Sequence, residues 1–166
     1  MLDYCCYGAM LSRWVIGEQA VAALGMKANL ASQWGDAEDN GVMLVRFPQA
    51  MALLEGSWTT FDHGVPTGPI FYGTTGTLVM DQRDGEPVVR LERGHGQTTI
   101  YACQPLPEGR TDVAEEYIHH LETGEPLHPT LEMNLNLEIM AILDAGVRSA
   151  ASNKLEVVNS PTWCIG

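Results

Sequence analysis

At 166 residues the chain has the length of one domain, enough to bury a core without disulfides or a structural metal. Its 45% apolar content is that of a globular protein, and 9 Lys+Arg against 21 Asp+Glu leave a net charge of -12. Such a surface repels polyanions, which argues against nucleic acid and anionic membranes as partners. The apolar stretches are too short and too interrupted by charge to cross a bilayer, and no export signal opens the sequence, so the reading places the chain in the cytosol. Cysteines 5, 6, 103 and 164 lack the spacing of a zinc site and read as reduced, mostly buried thiols.

From about residue 4 to Ile16, the residues Tyr7, Met10, Leu11 and Trp14 make one apolar helical stripe, and Gly17 is a natural stop. The next hundred residues change character. VAALGMKANLASQW, GVMLVRF, MALLEGSWTTF, PIFYGTTG, TLVMDQ, PVVRLE and TTIYACQ are short runs rich in Val, Thr, Leu and aromatics. Turn signals separate them, among them Asp39-Asn40-Gly41, Pro48, Gly64 to Gly68 and Asp84-Gly85. Tight connections without intervening helical pattern predict an antiparallel or mixed sheet, because parallel neighbours need long crossovers.

Helices return after Gly109. Asp112 and Glu115 form an acidic capping box, Val113, Ala114, Tyr117, Ile118 and Leu121 form the expected buried face, and Gly124 ends the segment. From Thr130 to about Ser152 the apolar stripe of Leu131, Leu135, Ile139, Ile142, Leu143 and Gly146 is broad enough to imply burial on more than one side. Asn153 suits a left-handed cap, and LEVV is a final short strand. The predicted class is α+β, an open, mainly antiparallel or mixed sheet with helices packed on one face, over residues 1–158, with 159–166 as a tail. In MALLEGSWTTF both alternating sets hold large apolar residues, Met51, Leu53, Phe61 and Ala52, Leu54, Trp58. A solvated sheet face would be polar, so another subunit is expected to cover it.

Asp3 and Tyr7 stand four residues apart on one helix face, where a carboxylate and a phenol can converge on one substrate hydroxyl. That is acid/base geometry. The plainer reading has Asp3 capping the helix and Tyr7 half-buried in the core. Among weaker candidates, Arg13 can contact substrate or serve as an ion-pair partner, and Trp58 can stack on a sugar ring or pack under a helix. His63 lies in a loop of Gly and Pro where substrate loops often sit, or is an ordinary loop histidine. His119 and His120 fall in the last turn of a helix, which favours positive charge, and His95 is a turn residue. None has the spacing of a metal site, so no metal is expected.

The opening LDYCCYGAMLSRWVIGEQ resembles the start of the second domain in the oxidoreductase family named for glucose-fructose oxidoreductase, inositol dehydrogenase and a rhizopine catabolism protein. Asp3, Tyr7, Arg13, Trp14, Gly17 and Glu18 stand in the places of that family's pattern, FYGTTGTLVMD is similar to its strand-turn-strand segment, and the run from EYIHHLETG to LEVV is similar to its last helices and strand. The resemblance implies the C-terminal substrate and oligomerisation domain of a two-domain NAD(P)-dependent dehydrogenase acting on a sugar, polyol or related compound. The family's first domain, a Rossmann fold, supplies the dinucleotide site and a Glu-Lys-Pro motif; this sequence has no Gly-x-Gly-x-x-Gly after a strand. No residue is therefore assigned to cofactor binding, tight binding of NAD or NADP to this chain alone is not expected, and the isolated chain is expected to be inactive.

By the same resemblance Asp3 and Tyr7 are the catalytic pair. A phenol of ordinary pKa about 10 needs a nearby cation to act as a base at neutral pH. The first-domain lysine would supply it, and Asp3 would orient the hydroxyl. The expected partners are a sugar-like small molecule, a Rossmann domain and further copies of the chain. A reading from a different class is a non-catalytic module that oligomerises or binds a small polar ligand.

Overall fold

The computed structural model describes residues 1–33, 35–60 and 68–159. They form two compact units, the described residues of 1–60 with those of 124–159, and 68–123. In the first unit, α1 (Leu2–Ile16) leads to the strands β1 (Ala22–Ala28), β2 (Asn40–Arg46) and β3 (Met51–Ser57). The second holds β4 (Ile70–Tyr72), β5 (Thr77–Arg83), β6 (Glu86–Glu92), β7 (Thr98–Ala102) and α2 (Val113–Thr123). The chain then returns to the first unit with a 3-10 turn (Pro129–Leu131), α3 (Met133–Ser152) and β8 (Glu156–Val157). Each expected strand run contains one strand, and Gly17 and Asn153 close their helices in the left-handed conformation, as predicted.

The α+β class and the antiparallel pairing hold, but the strands fall into two four-stranded sheets, β3-β2-β1-β8 and β4-β5-β6-β7. Every pair in both is antiparallel. Asp84 and Gly85, both at positive φ, make the two-residue turn of the β5–β6 hairpin, where Arg83 pairs with Glu86.

Register fixes the two faces of the first sheet. Ala23, Val45 and Ala52 lie opposite one another, as do Gly25, Met43 and Leu54, and this is the face the helices cover. Phe47, Met43, Ile142, Val45 and Cys5 are its most fully buried large side chains. Helix α3 packs on β1 and on α1, which accounts for the breadth of its buried stripe. It approaches β1 backbone to backbone: a Cβ on Gly25 would stand 2.2 Å from the Gly146 carbonyl oxygen. Ser149, fully buried, accepts the Gly25 N–H at 2.9 Å and donates to the Lys154 carbonyl at 2.5 Å. Arg148 ties α3 to β8 through Glu156 at 2.5 Å and the Val157 carbonyl at 2.9 Å.

The opposite face aligns Leu24, Leu44 and Leu53, with Met51 beside them against Arg46. It is left open, with Leu53 64% and Met51 82% exposed.

Two helix faces differ from expectation. On α1 the packed side is Met1, Cys5, Ala9 and Ser12, with Met10 partly buried against the same core, while Tyr7 and Trp14 of the expected stripe are exposed. On α2 the expected buried residues Val113, Ala114, Tyr117, Ile118 and Leu121 are exposed, and the buried side chain is Glu116. Arg110 holds it with two hydrogen bonds of 2.6 Å, a paired fork that lets a carboxylate leave water. The capping box is half formed: Asp112 accepts the Glu115 N–H at 2.9 Å, whereas Glu115 reaches back one residue further, to the Thr111 N–H at 2.8 Å. Cys5 is buried, Cys6 partly so and Cys103 exposed, so burial of the thiols is less general than expected; Cys164 lies outside the described residues.

Candidate active site

Asp3 sits in the first turn of α1, where a carboxylate favours the helix dipole. It does not cap the helix: the N-cap is Met1, with no side-chain cap hydrogen bond. Tyr7, one turn on, is 61% exposed and no core residue. Neither the carboxylate nor the phenol has a hydrogen-bond partner among the described residues. Both plainer roles are thus vacant. A carboxylate and a phenol about 6 Å apart along the axis stand exposed on one side of α1.

Aromatic groups border them at both ends of the helix. Tyr4, beside Asp3, meets Trp58 at a ring-centroid distance of 5.1 Å and an interplanar angle of 64°. Further along the same stripe Trp14, 43% exposed, meets His128 at 5.3 Å and 70°. Trp58 neither packs under the helix nor is free of it; it flanks the N-terminal end of α1. The Tyr4 and His128 contacts are absent from the sequence reading. Gly56 is the signal for the first, since a glycine within a strand marks a close approach, here of Tyr4.

Arg13 turns the other way. Its guanidinium pairs with Glu138 of α3, which also accepts from Gln19 at 2.9 Å, so Arg13 joins α1 to α3. Partial burial alone would raise the Glu138 pKa, but the hydrogen bonds from Arg13 and Gln19 outweigh it and hold the carboxyl below its ordinary value. This is the ion-pair alternative for Arg13. His63 lies outside the described residues. Among the described residues no group of His, Cys, Asp and Glu could hold a metal ion, and no helix is long and apolar enough to cross a membrane.

No family model matches the sequence, and no curated protein matches it. Solved structures do match its fold. Levoglucosan dehydrogenase, in complex with NADH and levoglucosan, superposes with a TM-score of 0.71 at 18% identity, over 95% of this chain and 50% of that one. Aldose-aldose oxidoreductase from Caulobacter crescentus, complexed with glycerol, gives 0.70 at 18%, over 92% and 45%. The WlbA dehydrogenase from Bordetella pertussis, in complex with NADH and UDP-GlcNAcA, gives 0.58 at 18%, over 94% and 44%. The chain has the fold of their C-terminal domain. It spans about half the length of these oxidoreductases, which are of the glucose-fructose oxidoreductase type. At this level of identity the likeness is one of fold.

Proposed function

We propose that the chain is the substrate-facing domain of a cytosolic NAD(P)-dependent oxidoreductase acting on a sugar, polyol or related compound. Asp3 and Tyr7 are its polar catalytic pair. The observation that carries this reading is that both side chains stand exposed on one side of α1 and without hydrogen-bond partners among the described residues, in a fold that matches about half the length of solved oxidoreductases. In the reaction the Tyr7 hydroxyl takes the proton of the substrate carbinol as its carbon gives up hydride, and Asp3 accepts a hydrogen bond that fixes the substrate. The cofactor, NAD or NADP, accepts the hydride and is held by a dinucleotide-binding domain facing α1. That domain also supplies the cation that lowers the phenol pKa. Trp58 borders the substrate, and Arg13 keeps α1 in register with α3 rather than touching substrate. The open face of the first sheet, with Leu24, Leu44, Met51 and Leu53, packs on a second copy of the chain, which accounts for large apolar residues left uncovered.

The test is cofactor-coupled turnover. A two-domain enzyme carrying this chain should form NADH or NADPH from at least one member of a panel of sugars and polyols, and the 166-residue chain alone should form none. Turnover by the chain alone, or tight NAD(H) or NADP(H) binding to it, would contradict the division of labour.

A further inference from the structure

The sheet of the second unit ends on a strand that carries nothing to block further pairing. β7 (Thr98–Ala102) is one edge of the order β4-β5-β6-β7, and all five of its residues are exposed. Edge strands ordinarily carry a charge, a proline or a bulge, or are very short, because a bare row of backbone groups templates another strand. The other edges follow that rule: β4 has three residues, β8 has two, and β3 carries Glu55. The run Thr-Thr-Ile-Tyr-Ala has no charge, proline or glycine, and its β-branched and aromatic residues favour an extended chain.

Register shows which backbone groups point outward. In an antiparallel ladder, hydrogen-bonded and non-bonded pairs alternate. The two-residue turn at Asp84-Gly85 makes Arg83 and Glu86 a bonded pair, so Val88, Arg90 and Glu92 bond to β5, and Val89 and Leu91 turn to β7. Their partners there are Tyr101 and Thr99. One step along the same ladder the Arg93 N–H donates to the Gln97 carbonyl at 3.0 Å, which gives the same alternation. Thr98, Ile100 and Ala102 therefore turn their N–H and C=O groups away from β6, and none of these groups meets a partner among the described residues. The three residues are symmetric about Ile100. A second β7 laid antiparallel across a twofold axis at Ile100 pairs Ile100 with itself and Thr98 with Ala102, so every outward N–H of both copies finds a carbonyl. Thr99 then stands opposite Tyr101 of the second copy, a β-branched residue against an aromatic ring. Charge does not oppose the approach. The chain carries a net charge of -12, but β7 carries none, and Glu92, opposite Thr98, is held by Arg90 and by the Thr98 hydroxyl at 2.6 Å.

Resting on the reading that copies of the chain associate through the open face of the first sheet, we infer that β7 is a second self-association surface, an antiparallel edge pair in register about Ile100. Five residues a side are too few to hold two chains together alone, since stable interfaces take about 20–30 residues from each partner. The edge pair adds to an assembly already formed. The experiment is oxidative cross-linking of the whole chain carrying Cys103→Ser, so that the exposed native thiol does not compete. Ile100→Cys should give a disulfide-linked dimer, because bonded antiparallel pairs place their Cα atoms about 5.5 Å apart, within disulfide reach. Thr98→Cys and Ala102→Cys, each alone, should link at least about tenfold more slowly, since like residues then stand four positions apart, about 13 Å along the strand. An equimolar mixture of those two chains should link within a few fold of the Ile100→Cys rate. Ile100→Lys, which sets two like charges opposite each other, should weaken the assembly about tenfold in sedimentation without unfolding the chain. Equal rates at positions 98, 100 and 102, or no link at 100, overturn the inference. Selective linking at 100 in an assembly that Leu53→Glu leaves intact keeps the edge pair and refutes the sheet-face contact. If Leu53→Glu dissolves the assembly and position 100 does not link selectively in the parent, the edge inference fails and the sheet-face contact stands.

Discussion

Replacing Gly25 by alanine sets two effects of opposite sign against each other. Glycine inside a strand is entropically unfavourable, so the substitution alone would stabilise the chain by about 0.5–1 kcal/mol. In this fold the new Cβ would stand 2.2 Å from the Gly146 carbonyl oxygen and 3.0 Å from its carbon, whereas a carbon and an oxygen in ordinary contact are on the order of 3.3 Å apart. The obstacle is helix backbone and cannot rotate aside, so α3 must retreat by about 1 Å, a displacement of the overpacking kind that costs about 1–3 kcal/mol. The same retreat stretches the 2.9 Å bond from the Gly25 N–H to Ser149 beyond hydrogen-bonding range and strands a buried donor, a further cost of about 1–3 kcal/mol. The net expectation is a loss of about 1–5 kcal/mol, read as a melting temperature roughly 3–15 °C lower by circular dichroism. A Gly25→Ala chain as stable as the parent, or more so, would refute the close approach of α3 to β1.

Ser149→Ala, which leaves the Gly25 N–H and the Lys154 carbonyl without their partner, should cost about 1–3 kcal/mol in urea denaturation. Burial alone would raise the Asp39 pKa, but the N–H groups of Ala31, Leu30 and Ser32 outweigh it and depress the folded value well below that of an unfolded aspartate, about 3.9. Its stabilisation is therefore complete above that pH and is lost as pH falls through the folded value. The gap in urea midpoint between the parent and Asp39→Asn should stay constant from pH 7 to about 5 and narrow below about 4; a gap that widens on acidification would be the wrong sign. A double-mutant cycle on Arg13→Ala and Glu138→Ala should give a coupling of about 1 kcal/mol or more at pH 7 that shrinks in acid, and additive losses would deny the pair a stabilising role. Leu53→Glu on the open sheet face should convert an oligomer to monomers in sedimentation without unfolding the chain.

Much of the fold is legible because short Val-, Thr- and aromatic-rich runs end at strong turn residues, and the Asp84-Gly85 hairpin is the plainest case. The split into two sheets is not, because hairpins specify neighbours along the chain and nothing in a strand's composition names a partner beyond them. The face of α1 is misread for a physical reason. Its buried residues are small, Cys5, Ala9 and Ser12, so the helix lies close to its neighbours, while the larger Tyr7 and Trp14 that dominate the apolar pattern are left outside. On α2 the buried Glu116 is unreadable without knowing that Arg110 reaches it. At the site, the spacing of Asp3 and Tyr7 is local and visible in sequence. The partner that takes Arg13 lies 125 residues away and is not.

In the proposed reaction Tyr7 acts through one oxygen atom. Tyr7→Phe removes the phenol hydroxyl and leaves a ring of the same shape on an exposed helix face, so folding and substrate affinity should be unchanged. In the two-domain enzyme kcat should fall about a hundredfold or more, the contribution of a general acid/base group. A kcat within a few fold of the parent would contradict the assignment of Tyr7 as the base.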